Sequence, residues 1–193
     1  MVYHCIVHLY CNTSILKKGI TKEKWLVSFL DKHNLTLGVE LGVQKGYNFK
    51  YLIENKPNLV LHGVDIWSEK EVRWSGIASE NLQFQKDSVN SGFLDDLQEW
   101  AKEYQGRVFF HRHFTTYAHR FFNDGELDFI FVDAGHEYED VKADIQAWYP
   151  KIKKGGYMIG HDINQVQVRK AVREQFQDRW SQAKEQKIWW IRL

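Results

Sequence analysis

Two carboxylates that close hydrophobic runs, and the turns that follow them, are the residues best suited to chemistry in this chain. The segment Leu37-Gly-Val-Glu40-Leu-Gly42-Val-Gln-Lys-Gly46 sets an acid and two glycines around a turn. The next hydrophobic run, Leu59 to Val64, ends in Asp65, twenty-five residues after Glu40. Glycines let a ligand approach the backbone, and a carboxylate after a second strand can hold ribose hydroxyls, so the pair predicts an adenosine cofactor. The spacing is E-x-G-x-x-x-G rather than the dinucleotide pattern G-x-G-x-x-G. An acid beside the turn suits the amino group and sulfonium of S-adenosylmethionine, whereas a diphosphate prefers bare N–H groups at a helix N-terminus. Glycines after a strand also serve a plain tight connection; Asp65 is what weighs toward a ligand.

A second constellation lies downstream. Phe131-Val-Asp133-Ala-Gly-His136 puts Asp133 at the end of a run and His136 in the following loop, and Gly160-His161-Asp162 ends another run. If those runs are adjacent parallel strands, Asp133 and Asp162 meet at one sheet edge. Two carboxylates with a neutral donor and waters form the sparse oxygen shell that Mg²⁺ favours. Taken singly, either acid could instead cap a helix, Asp162 the one beginning near Val166.

Positioning these groups requires alternating elements. Thr21 is expected to cap a helix through Lys32 whose buried stripe is Trp25, Leu26, Phe29 and Leu30. Leu37–Leu41, Leu59–Val64, Arg107–His111, Leu127–Val132 and Tyr157–Gly160 read as strands. Tyr47–Glu54, Phe93–Tyr104, about Glu139–Lys153 and a segment with Val168, Val172 and Phe176 read as helices. Leu127–Val132 is apolar almost throughout, as a strand buried on both faces should be. Trp67–Asn90 breaks the rhythm and is expected to be a lid or substrate-facing loop, with a plain surface excursion as the alternative. Ile188–Ile191 closes a terminal hairpin. The fold class is thus α/β: a Rossmann-like, doubly wound, mostly parallel seven-stranded sheet with a terminal antiparallel hairpin, whose ligands sit at the carboxyl ends of the strands.

Composition narrows the partners. With 193 residues the chain fits one domain, residues 1–36 forming a tail and helix and 37–193 the core. A net charge of +1, with 26% charged and 44% hydrophobic residues, argues against a bulk nucleic-acid or anionic-membrane binder. Cys5 and Cys11 are the only cysteines, which fits a reducing compartment, and the cytoplasm is expected. Val2–Tyr10 is apolar but too short to span a membrane. That tail and the Trp-rich C-terminus are the surfaces through which a homo-oligomer is expected to form.

Glu40-Leu-Gly-Val-x-x-Gly46, Val64-Asp65-Ile-Trp67, Asp128-Phe-Ile-Phe-Val-Asp133-Ala-Gly-His136-x-Tyr138-x-x-Val-x-x-Asp144 and Lys154-Gly-Gly-Tyr-Met-Ile-Gly-His-Asp162 together resemble class I S-adenosylmethionine-dependent methyltransferases. The subgroup most similar contains metal-dependent macrolide-sugar O-methyltransferases, and the likeness runs from about Leu37 to Trp189-Trp190. The resemblance implies that Glu40, Gly42 and Gly46 embrace the methionine end of the cofactor and that Asp65 binds the ribose. Trp67 and Asp133 would also line the cofactor, and the segment at Phe114-Thr115 would contact adenine. Asp133 and Asp162 would bind Mg²⁺, with His161 counted among the metal residues, although related enzymes often carry an acid at that place. His136 would be the general base, and the acceptor a hydroxyl of a small molecule such as a sugar or glycosylated metabolite. The competing expectations are a cofactor-binding scaffold without turnover and an NAD-dependent oxidoreductase.

Overall fold

The computed structural model describes residues 19–67 and 91–193. The N-terminal tail with both cysteines, and all of the expected lid but Trp67, lie outside the described residues. Helix α1 (Lys22–Lys32) starts where the sequence indicates: the Thr21 side chain accepts a hydrogen bond from the Lys24 N–H, and Leu26, Phe29 and Leu30 are buried. Strand β1 (Leu37–Leu41) leads through the glycine turn into α2 (Tyr47–Asn55), then β2 (Val60–Asp65). After α3 (Ser91–Ala101) come β3 (Val108–Arg112), the single turn α4 (Thr115–Ala118) and β4 (Leu127–Val132). Helix α5 (Tyr138–Trp148), β5 (Ile152–Gly160), α6 (Val166–Phe176), β6 (Ser181–Ala183) and β7 (Ile188–Arg192) complete the chain.

The seven strands form one sheet in the order β3-β2-β1-β4-β5-β7-β6. β1 to β5 run parallel, and β7 runs antiparallel to both β5 and β6. The winding direction reverses between β1 and β4, which opens a crevice at their carboxyl ends. Every residue of β4 is buried, and its side chains alternate between two cores. Phe129 and Phe131 join Leu26, Leu30, Phe49, Leu52 and Leu97 from α1, α2 and α3. Ile130 and Val132 join Val141, Ile145, Trp148, Val168 and Phe176 from α5 and α6.

Two expectations need correction. The helix after β4 stops at Trp148, short of Lys153, and Ile152 belongs to β5 rather than to the helix stripe. Pro150 is the reason: it has no N–H to continue the ladder, so a 3-10 turn over Tyr149–Lys151 carries the chain directly into the strand. Lys154-Gly155-Gly156 consequently sits inside β5 as an irregularity, with Gly155 at φ +84° and a register shift against β4. The Trp-rich end is largely spent inside the fold. Trp189 is fully buried, and Trp190 packs against Trp25 with ring centroids 5.2 Å apart.

Candidate active site at the carboxyl edge of the sheet

The turn after β1 is built around backbone conformations that only glycine adopts freely. Gly42 has φ +85° and Gly46 φ +76°. A Cβ on Gly42 would lie 2.2 Å from the Asp133 carbonyl oxygen, so the β1 turn is pressed against the end of β4. Asp65 organises the same turn from β2. One of its carboxylate oxygens accepts from the Gln44 N–H at 2.8 Å and the other from the Trp67 N–H at 3.0 Å. Trp67 is buried, and its indole N–H donates to the Gln44 carbonyl at 2.9 Å, bracing the loop from beneath.

Glu40 faces inward at the end of β1 and is 2% exposed. Burial pushes its carboxyl up to about 8, a shift opposed by the nearby Lys22 ammonium and increased by Asp133. The Asn48 side-chain amide, one turn into the site from α2, donates to Glu40 at 3.1 Å.

Asp133 and Asp162 do come together, because β4 and β5 are neighbours paired at Val132 and Gly160. The Asp133 N–H donates to Leu41 and the His161 N–H to Val132, which extends the ladder one step beyond the strands and fixes both loops. Asp162 lies at φ +54° and does not cap α6, whose N-cap is Gln165; its carboxylate is directed into the site. The His136 Nε2 and Asp162 Oδ2 are 2.7 Å apart. His161 Nδ1 lies 3.3 Å from Asp133 and 3.2 Å from Asp162, bridging the two acids. Burial opposes charge on the His161 ring, but hydrogen bonds to both carboxylates outweigh it and push the imidazole up to about 9. Burial favours the neutral form of Asp162, yet its two histidine partners hold it far below the usual carboxylate range. Among the described residues, Asp133, His136 and Asp162 offer ligand atoms that all lie within 4.8 Å of one another.

Thr115 sits at the start of α4, some way round the edge. Its carbonyl accepts from the Trp148 indole at 2.9 Å, and its side chain hydrogen-bonds the buried Asp144, whose carboxyl burial raises to about 7. Helix α5, which leaves the Asp133–His136 loop, thus clamps the segment expected at adenine.

Two residues of the site carry no motif. Lys22, in the first turn of α1, donates to Asp133 Oδ2 at 2.8 Å. Asn48 is a polar residue set among the apolar positions of α2, a signal that reading the helix for its buried face could have caught. For Lys22 no such signal exists, since a lysine in a first helical turn ordinarily faces water.

This fold and edge define a doubly wound α/β domain with a ligand crevice at the carboxyl ends of its strands, and comparison with known proteins gives the family. A family model described as "Methyltransferase domain" matches residues 39–163. The chain belongs to that family, and its architecture is that of the class I S-adenosylmethionine-dependent methyltransferases. Among solved structures it is similar to the O-methyltransferase NovP, with 18% identity, a TM-score of 0.64, and coverage of 88% of this chain and 77% of that one. The calicheamicin methyltransferase CalS11 has 13% identity and a TM-score of 0.64, covering 90% and 80%. The methyltransferase PaMTH1 of Podospora anserina, solved with S-adenosylhomocysteine, has 12% identity and a TM-score of 0.63, covering 89% and 77%. At such identities the likeness speaks for the fold. No curated protein sequence matches the chain significantly. Among the described residues no helix is long and apolar enough to cross a membrane.

Proposed function

We propose that the protein transfers the methyl group of S-adenosylmethionine to a hydroxyl oxygen of a small molecule, a sugar or glycosylated metabolite being the favoured class. His136 is the general base. The observation that carries this reading is the His136–Asp162 pair, 2.7 Å apart at the carboxyl edge beside Asp133. A carboxylate at that distance favours a proton on Nε2 and fixes the orientation of the ring. A hydroxyl is a weak nucleophile at neutral pH, so removing its proton as oxygen attacks the methyl carbon is where the ring contributes, typically 10²–10⁴-fold. Asp162 orients the ring and stabilises the imidazolium that forms. Glu40 and the Gly42–Gly46 turn hold the methionine end of the cofactor, and Asp65 its ribose. Holding donor and acceptor in line accounts for much of the remaining acceleration.

Asp133 and Asp162 supply oxygens of the kind Mg²⁺ prefers, and the cluster they form with His136 has the dimensions of a metal site. These two acids would hold the ion, which when bound would lower the pKa of a coordinated hydroxyl. One observation favours a second reading, in which the site works without it. The His161 ring already bridges both carboxylates, and the Lys22 ammonium bonds Asp133.

The test follows S-adenosylhomocysteine release from S-adenosylmethionine over a panel of sugars, glycosides and phenols, with wild type and His136→Gln, each with and without chelator. Turnover by wild type and its loss in His136→Gln are expected. Normal turnover in the variant removes the base, and no product with any hydroxylated acceptor removes the O-methyl assignment. Turnover insensitive to chelator selects the charge-compensated reading.

A further inference from the structure

Lys22 belongs to none of the motifs, yet α1 delivers it to the cofactor edge. Its Nζ bonds Asp133 across 111 positions of chain and lies 5.7 Å from the centre of the Phe131 ring. The side chain is 21% exposed, so the ammonium is largely withdrawn from water. Helix α1 is a firm mount: it is capped by Thr21 and anchored in the core by Leu26, Phe29 and Leu30. The Lys22 charge also acts on the buried Glu40 carboxyl, opposing the upward push of burial on its pKa.

The Gly42–Gly46 turn is therefore flanked by one acid and one ammonium. An α-amino acid carries the complementary pair, an ammonium and a carboxylate on a single carbon. We propose that Lys22 anchors the carboxylate of the cofactor's methionine end while Glu40 receives its ammonium. The proposal rests on the cofactor reading above and adds to it the residue that recognises the carboxylate. An ammonium has three N–H donors, so Lys22 can bond the cofactor carboxylate and still hold Asp133. Lys22 thereby ties the cofactor to the acid beside which the acceptor must sit. Charge-assisted hydrogen bonds of this kind are about twice as strong as neutral ones. The macrodipole of α1, with its positive end at Lys22, acts in the same direction.

The experiment compares two ligands that differ only in the carboxylate: S-adenosylhomocysteine and its decarboxylated analogue, 5′-deoxy-5′-(3-aminopropylthio)adenosine. Each is titrated calorimetrically into the full chain as wild type, Lys22→Met and Lys22→Arg. Wild type is expected to favour S-adenosylhomocysteine by roughly tenfold to hundredfold. Lys22→Met should reduce that preference to about twofold or less by weakening S-adenosylhomocysteine alone, and Lys22→Arg should keep most of it. An unchanged preference in Lys22→Met overturns the proposal. So does equal weakening of both ligands, which would make Lys22 a structural support. If wild type binds neither ligand, the cofactor reading itself has failed, an outcome distinct from both.

Discussion

Strand β4 is flanked by two aspartates that differ in almost everything except their charge. Asp128, near its start, accepts from the Thr36 N–H at 2.7 Å, the Leu37 N–H at 3.0 Å and the Thr36 hydroxyl at 3.2 Å, and pairs with Lys153. It staples the beginning of β1 to β4. Asp133, one residue past the end, takes its partners from side chains on distant elements, Lys22 and His161. Burial raises both carboxyls, and in both the partners outweigh it, so both end below the ordinary aspartate value. A depressed pKa therefore does not tell structure from function here. Between these two acids the kind of partner does: Asp128 leans on backbone N–H groups fixed for the life of the fold, whereas the side-chain donors that reach Asp133 from separate elements can share their bonds with a ligand.

The sharpest way to break this contrast is to neutralise each acid in turn. Asp133→Asn should lower turnover per folded molecule on the order of 10²–10³-fold, as loss of a preorganised charge in an active site does, whatever it costs in stability. Asp128→Asn should do the reverse. Its amide oxygen can still accept from the Thr36 and Leu37 N–H groups, but the NH2 then faces the Lys153 ammonium, which costs about 1–3 kcal/mol, or roughly 2–4 °C per kcal/mol for a chain of this size, with turnover per folded molecule unchanged. Its pH dependence is fixed in sign. Asp128 is held below 3.8 in the fold, so its contribution is complete above that value and disappears as pH falls below it. The stability gap between wild type and Asp128→Asn should accordingly close in acid. A variant of Asp133 that keeps normal turnover, or one of Asp128 that abolishes turnover while folded, would collapse the distinction.

How much of this was legible in the sequence follows the same line. The strands, the two cores and the meeting of Asp133 with Asp162 were readable because they depend on periodicity and on one rule of parallel sheets. Leu127–Val132 announced a doubly buried strand, and its neighbours in the sheet then determined where its end must lie. The apolar spacing of Val141, Ile145, Trp148 and Ile152 points to a helix longer than the one formed, because spacing alone does not register the break that Pro150 imposes. What pattern could not give was the side-chain wiring. That His161 bridges two acids depends on a loop geometry in which Asp162 takes φ +54°. That Lys22 reaches Asp133 depends on how α1 crosses the sheet. Neither is encoded in local spacing.

Glu40 provides the finest test, since it shares features with both aspartates. It is fixed and buried like Asp128, yet it lies at the functional edge like Asp133. Its carboxyl is raised to about 8, so the folded protein binds more protons than the unfolded chain between the ordinary value of 4.5 and about 8. Stability must then fall as pH rises through that window. Glu40→Gln cannot titrate, and its melting temperature should exceed wild type by about 2–4 °C near pH 8, for each kcal/mol recovered, the advantage vanishing toward pH 4.5. The same substitution should weaken S-adenosylhomocysteine binding about fivefold to tenfold at pH 7.5, because an amide does not neutralise an ammonium. In wild type the affinity should rise from pH 6 to 7.5, as ligand binding draws the proton from Glu40; in the variant it should be flat. Calorimetry in two buffers of different ionisation enthalpy measures that proton directly. Release of a proton by wild type and none by Glu40→Gln would place Glu40 with the ligand-exchanging groups, whereas equal proton counts would place it with Asp128 among the groups that only hold the sheet together.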